Sequence, residues 1–150
     1  VSKESYESTK EFIDFEVSPD GQKICFLGET IVPIWLYYGE FDKGLVKNIK
    51  RIDIASNCVW SNDSQKIAYN NHTTDVSPID VYVYDLQTEE IVNVTEPLQP
   101  ENREDASSLR FYQKPVWSLD DSEITSSYTT FDEGGVTKIN ILTGEFEDSL

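Results

Sequence analysis

The sequence predicts an all-β fold built from three copies of one four-stranded antiparallel unit. The first observation is a repeat, because three similar segments align on Ser18, Ser61 and Ser118, which lie 43 and 57 residues apart. The second is that short runs rich in Val, Ile, Tyr and Thr alternate with turn residues at intervals of about eight to twelve positions. A repeat of this length with four strand-like runs is typical of one blade of a β-propeller.

The same four strand-like runs recur in each unit, and together they define the domain organisation. They cover 12–17, 23–27, 34–38 and 45–49 in the first unit, 54–60, 66–69, 81–85 and 91–94 in the second, and 111–117, 123–128, 136–140 and 146–150 in the third. We therefore expect a linker or lead-in strand over 1–10, a first blade over 11–53, a second blade with a long connection over 54–110, and a third blade over 111–150.

The turn after the first run has suitable chemistry in every unit. Pro19-Asp20-Gly21 combines a fixed φ, a side chain that bonds its own backbone, and a residue free to take a positive φ. Asn62-Asp63-Ser64 and Asp120-Asp121-Ser122 are expected to form the corresponding turns. Serines and aspartates that look reactive in isolation are therefore predicted to form turns. Trp60 and Trp117 occupy equivalent positions, which predicts packing between blades.

Charge and cysteine content exclude several classes of function. The 28 acidic and 12 basic residues give a net charge of −16, which opposes binding to nucleic acid because that needs clustered Lys and Arg. Two cysteines without paired spacing and one histidine argue against a zinc site. We interpret Cys25 and Cys58 as buried free thiols, with a disulfide left open. No cofactor, metal ion or membrane span is predicted, and no calcium-loop spacing is present.

Three segments resemble the TolB-type, WD-like β-propeller repeat. They are Val17-Ser18-Pro19-Asp20-Gly21-Gln22-Lys23-Ile24, Val59-Trp60-Ser61-Asn62-Asp63-Ser64-Gln65-Lys66-Ile67-Ala68-Tyr69 and Val81-Tyr82-Val83-Tyr84-Asp85-Leu86. The resemblance implies propeller blades from about residue 11 to 150, recognition or scaffold work, and a place outside the cytoplasm, whether periplasmic, cell-surface or secreted. Complete propellers have about four to eight blades. We therefore expect a partial propeller, completed by a second copy in a homodimer or by further blades.

Long loops between strands are the best candidates for a binding site, because binding residues concentrate on loops held by a rigid scaffold. The second and third strands of each unit are joined by such loops, which share one face with the connections between blades. The candidate binding residues on this face are Asn71, His72, Asp75, Asp80, Glu101, Arg103, Asp132 and Glu133.

The leading hypothesis is a non-catalytic module that binds another protein. No Gly-x-Ser-x-Gly nucleophile motif is present, and no catalytic residue is assigned. One alternative is the propeller domain of a serine peptidase of the prolyl-oligopeptidase or dipeptidyl-peptidase kind, whose catalytic residues would lie outside this sequence. Another is a carbohydrate-binding surface that uses Trp35, Tyr37, Tyr38 or Tyr112.

Overall fold

A computed structural model describes residues 11–29, 33–71 and 78–150. The predicted lead-in segment and two candidate site residues, His72 and Asp75, lie outside the described residues. The described chain forms three antiparallel sheets, each with four strands in consecutive order, and a short fifth strand joins the third sheet. This arrangement confirms the predicted all-β fold of three four-stranded repeats.

The first sheet, blade 1, is a meander in which each strand pairs with the next. Its strands are β1 (Glu11–Val17), β2 (Lys23–Glu29), β3 (Ile34–Asp42) and β4 (Leu45–Ile54). Strand β4 is longer than the predicted run 45–49 because Asp53 and Ile54 still pair with Leu36 and Trp35. The prediction that a strand of the second unit begins at residue 54 is therefore wrong.

The second sheet, blade 2, repeats the meander, and the third sheet, blade 3, adds one short strand. Blade 2 contains β5 (Val59–Trp60), β6 (Lys66–Asn71), β7 (Asp80–Asp85) and β8 (Ile91–Asn93), and blade 3 contains β9 (Phe111–Tyr112), β10 (Val116–Trp117), β11 (Glu123–Thr129), β12 (Gly134–Asn140) and β13 (Phe146–Ser149). The predicted single run 111–117 is split, since β9 and β10 both pair with β11 and Pro115 between them has no N–H to donate. Blades 2 and 3 are joined by a long connection with two short 3₁₀ turns, Glu96–Leu98 and Ala106–Ser108.

The aligned serines hold the turns, as predicted. Ser61 Oγ donates to Asp63 Oδ1 at 2.7 Å and accepts from the backbone N–H of Lys66 at 2.9 Å, and the equivalent bonds form around Ser18 and Ser118. The positive φ of this turn falls on Gly21, Ser64 and Asp121, at 71°, 61° and 58°. The third turn is therefore Leu119-Asp120-Asp121, one residue earlier than predicted.

The blades pack face to face through the aligned tryptophans. The indole N–H of Trp60 donates to the carbonyl oxygen of Glu16 at 2.9 Å, and that of Trp117 donates to Val59 at 3.2 Å. The two rings are only 5% and 8% exposed. The prediction that they pack between blades is confirmed.

A disulfide joins blade 1 to blade 2. Cys25 in β2 bonds to Cys58, which lies directly before β5, and their Cα atoms are 6.5 Å apart. Both residues belong to the buried cluster between the blades, which also contains Leu27, Leu36 and Tyr69. The interpretation of the two cysteines as free thiols is wrong, because no short-range spacing reveals a pair that only the packing of two sheets brings together.

Candidate functional site

The candidate site is the end of the molecule where the long loops emerge, here called the long-loop face. It is formed by the ends of β6 and β7, the connection over 94–110, and the loop 130–133 between β11 and β12. Asn71 and Asp80 lie opposite each other where β6 and β7 meet this face. Glu101 and Arg103 lie on the connection, and Asp132 and Glu133 lie on the loop.

Asp80 is the internal anchor of the connection. Its side chain is 4% exposed, and its carboxylate accepts bonds from Thr95 Oγ1 at 2.9 Å, Gln99 Nε2 at 2.8 Å and Asn93 Nδ2 at 3.1 Å. Gln99 also bonds the backbone of Arg110 twice, each time at 3.0 Å, so the two ends of the connection are tied together. Asp80 therefore holds the connection in place from the interior, and its carboxylate is not exposed at the surface.

Asn71 lies in a second buried polar group that spans blades 1 and 2. Its Nδ2 donates to Asp53 Oδ2 at 3.0 Å, and the Tyr69 hydroxyl donates to the same oxygen at 2.8 Å. Burial, together with the Asp53 charge, raises the pKa of Tyr69 well above its usual range, so its hydroxyl remains a donor. Asn71 is 7% exposed, which places it below the surface as well.

The exposed part of the face is a loop with a fixed backbone. The N–H of Thr130 donates to the carbonyl of Glu133 at 2.7 Å, and Thr130 Oγ1 accepts from the N–H groups of Asp132 and Glu133 at 3.3 and 3.1 Å. The N–H of Phe131 donates to Ser107 on the connection at 3.3 Å, yet its ring is 84% exposed. The loop therefore exposes an aromatic ring and two carboxylates to solvent, while its backbone is held by hydrogen bonds.

A shallow pocket of about 340 Å³ separates this loop from the connection. It is lined by Ser107, Ser108, Arg110, Thr130, Asp132 and Glu133. Arg110 pairs with Asp148 at 2.9 Å, and its guanidinium lies 4.3 Å from the centre of the Tyr128 ring. Burial lowers the pKa of Arg110, but bonds to the Tyr112 hydroxyl and Asp148 outweigh it and raise the pKa overall. The positive charge beside the pocket is thus compensated, and the rim is acidic.

The structure brings some of the predicted residues together and leaves others apart. Asp132 and Glu133 share the pocket, whereas Glu101 is exposed on the connection and Arg103 pairs with Glu96 at 3.5 Å. Arg110 and Phe131 were missed by sequence reasoning, because neither belongs to the repeat pattern and neither lies in a recognisable motif. Only their neighbours in space show that they belong to this face.

The described residues offer no metal cluster, and the four rings named for carbohydrate binding are buried or packed against a neighbouring side chain. No group of three or more His, Cys, Asp or Glu side chains within 11–29, 33–71 and 78–150 is placed to hold a metal ion. Of the rings considered for carbohydrate binding, Tyr37 and Tyr112 are buried, Tyr38 packs edge-on against Trp60, and the Arg51 guanidinium covers one face of Trp35 at 4.3 Å. In the described part of the chain, no helix is long and apolar enough to cross a membrane.

Four-stranded antiparallel blades that pack face to face define a β-propeller architecture, and the described residues form three such blades. The chain is similar to the tricorn protease (TM-score 0.65, 13% identity, 90% of this chain and 14% of that chain) and to the TolB structure from Agrobacterium tumefaciens (0.61, 14%, 88% and 46%). It is also similar to the acylaminoacyl peptidase from Pyrococcus horikoshii (0.65, 15%, 92% and 24%). The chain spans less than half the length of each of these proteins. The likeness to a TolB-type propeller is thus confirmed for the fold.

No protein-family model matches the chain, and no curated protein matches its sequence.

Proposed function

We propose that this chain is a non-catalytic β-propeller module that binds another protein through its long-loop face and acts outside the cytoplasm. The observation that carries the proposal is the fixed loop that exposes Phe131 beside Asp132 and Glu133. A surface that is already ordered loses little conformational freedom on binding, and exposed aromatic side chains are frequent anchors of protein interfaces.

The charge of the face supports a basic partner. Glu101, Glu104, Asp105, Asp132 and Glu133 are all exposed there, in a chain of net charge −16. Such a surface steers a positively charged protein towards it and repels acidic competitors. We therefore propose a partner segment that carries Lys or Arg beside an apolar side chain.

The disulfide supports the proposed location. Disulfides such as Cys25–Cys58 form and persist in secreted, periplasmic and cell-surface proteins and are rare where cellular thiols are kept reduced. The bond is buried between two blades, so it belongs to the folded framework and not to an exposed redox site.

A peptidase propeller is the second candidate function. It is favoured by the similarity to a prolyl endopeptidase structure (TM-score 0.64, 16% identity, 93% of this chain and 22% of that chain) and to the acylaminoacyl peptidase. In this case the chain would gate or position a separate hydrolase domain. Labelling of the parent polypeptide with a fluorophosphonate probe tests it, because only a protein with an activated serine nucleophile reacts.

The binding proposal is tested with a phage-displayed library of random dodecapeptides selected on the purified chain. We expect enriched peptides that combine Lys or Arg with an apolar residue. Their affinity should fall about tenfold or more in the variant Phe131→Ser, Asp132→Asn, Glu133→Gln, since truncation of an interface anchor typically costs about 2 kcal/mol or more and a tenfold change corresponds to about 1.4 kcal/mol.

The matched control removes the same charge and one exposed apolar side chain from the opposite end of the molecule. Its substitutions are Leu119→Ser, Glu90→Gln and Glu145→Gln, at three exposed turn residues. The control should bind as the unmodified chain does. Equal losses in the two variants, or the absence of any enriched peptide, would refute the proposal.

A further inference from the structure

The two junctions between blades are built alike at their aligned tryptophans and turns. At each junction, the indole N–H of the later blade donates to a carbonyl oxygen of the earlier blade. The turns are joined as well, since the Asp20 N–H donates to Ser64 Oγ at 3.0 Å and the Asp63 N–H donates to Asp121 Oδ2 at 2.8 Å. The two junctions can therefore be compared position by position.

The junctions differ at the outermost strand of the earlier blade. Lys50 in β4 and Val92 in β8 occupy the same position, because their pairing partners, Tyr38 and Val83, each lie opposite the third residue of β2 or β6. Val83 faces blade 3, in the buried cluster that the two blades share. A long cationic side chain at one junction is thus replaced by a short apolar one at the other.

At the junction of blades 1 and 2, the side chain of Lys50 crosses from one blade to the next. Its Nζ pairs with Glu89 at 2.9 Å and lies 5.6 Å from the centre of the Tyr84 ring. The hydrogen bond to Glu89 raises the pKa of Lys50, so the amine stays charged. A lysine side chain, with its ammonium group between a carboxylate and an aromatic ring, is therefore part of this junction.

At the junction of blades 2 and 3, the corresponding space is a groove of about 200 Å³, here called the blade 2–3 groove. Neither member of the crossing ion pair is present there. Val92 stands in place of the lysine, and Gly144 stands in place of Glu89, since each has a positive φ and donates its N–H to the carbonyl oxygen four residues earlier. The apolar walls of the groove are Val83, Val92, Val94, Ile141 and Leu142.

The groove combines these apolar walls with an acidic rim. Val92 and Leu142 are 54% and 82% exposed, so the walls are open to solvent. On the rim, Asp85 pairs with Lys66, whereas Glu90 is exposed and forms no ion pair with any described residue. An alkyl chain that ends in a positive charge matches both features, because the chain covers the walls while the charge reaches the carboxylate.

We propose that the blade 2–3 groove binds a lysine side chain presented by a partner protein. The chain itself supplies the template, because Lys50 fills the equivalent space at the other junction. Charge supports the same occupant, since Glu90 on the rim and the net charge of −16 both favour a cation. The groove lies at the opposite end of the blades from the long-loop face, so it is a second and separate contact surface.

The test follows backbone amide NMR signals of the chain during titration with 1-aminopentane, which has the alkyl chain and the ammonium group of lysine. We expect saturable shifts at Val92, Ile141 and Leu142, with a Kd on the order of 1 mM, because the probe is small. Pentanoate lacks the positive charge and ethylamine lacks the chain, so each should bind at least about fivefold more weakly. Nα-acetyl-lysine N-methylamide should bind at least as tightly as 1-aminopentane, since a partner protein presents lysine on a peptide backbone.

Val92→Lys shows whether the probe uses the proposed surface. The new side chain should occupy the groove as Lys50 occupies the other junction, and the shifts caused by 1-aminopentane should be lost. Ile91→Lys is the matched control, because it adds the same charge on the opposite side of β8 and should leave binding unchanged. Both replaced residues are exposed, so both variants should fold, which the amide spectrum reports directly.

The inference is overturned if 1-aminopentane causes no saturable shift at the groove, if pentanoate binds equally well, or if Val92→Lys binds as the unmodified chain does. Binding of 1-aminopentane without binding of the lysine derivative would also overturn it, because the ligand would then be a free amine and not a partner protein. A contact with a Kd on the order of 1 mM is too weak to enrich peptides in the selection on the long-loop face. Failure here therefore leaves the proposed function untouched.

Discussion

Reduction of the Cys25–Cys58 disulfide should lower the free energy of unfolding by about 4 kcal/mol. The bond closes a loop with a sequence separation of 33. The chain-entropy relation gives about 12 cal/mol/K for a loop of this length, or about 4 kcal/mol at 25 °C, through the unfolded state alone. The folded state should change little, because both sulfurs lie in an apolar cluster that tolerates thiols as small hydrophobic groups.

The assay is urea unfolding followed by tryptophan fluorescence, with and without a phosphine reductant. For a slope of about 2 kcal/mol/M, the midpoint should fall by about 2 M urea on reduction. The variant Cys25→Ala, Cys58→Ala is the control, and its midpoint should be the same under both conditions. The reasoning is refuted if the midpoint of the unmodified protein does not move, or if two thiols titrate in unreduced, unfolded protein prepared from an oxidising compartment.

Three further predictions concern single side chains. Asp80→Ala should lower the free energy of unfolding, measured by chemical denaturation, by about 3 kcal/mol, because the buried donors of Thr95 and Gln99 lose their acceptor. Asp132→Ala, at an exposed position, should lower it by less than about 0.5 kcal/mol. Trp60→Phe should cost about 1 kcal/mol, since the ring stays buried but its bond to the Glu16 carbonyl is lost, and a cost near that of Trp60→Ala would contradict this. Hydrogen bonds from the Ser18 hydroxyl and from the backbone N–H of Gln22 lower the pKa of Asp20 to about 2. Its contribution to stability is therefore complete above the unfolded value of 3.8 and is lost as the pH falls towards 2, and Asp20→Asn should reduce the slope of the unfolding midpoint against pH in that window.

The repeat could be predicted from sequence because its turns are local. The aligned serine bonds an acid two residues later and an N–H five residues later, so the requirement is confined to six consecutive residues, such as those from Ser61 to Lys66. Strand lengths were less certain where pairing is decided by a distant partner. Ile54 continues β4 only because Trp35 lies opposite it, and the sequence around residue 54 carries no sign of this.

The sequence predicts which end of the blades carries the candidate site, but it does not predict which side chains are exposed there. Loop length indicates which end of the blades is irregular, and Asp132 and Glu133 do lie exposed there. Loop length does not indicate which of the acidic side chains are buried. Nothing in the sequence distinguishes Asp80 from the exposed acids, but the side chains of the connection enclose it, and those contacts depend on how the seventeen residues of the connection fold back on blade 2. The disulfide was missed for the same reason, since two sheets must pack before Cys25 and Cys58 meet.

The turn residues with positive φ have a consequence for how blades are inherited. Ser64 and Asp121 adopt a backbone conformation that costs a residue with a side chain about 1 kcal/mol relative to glycine, and the bond that offsets this cost goes to a different blade. A blade copied alone to another gene would keep the strained turn and leave behind the neighbour that compensates it. A blade moved to the first position would be stabilised by replacement of this residue with glycine, the residue that blade 1 has there in Gly21.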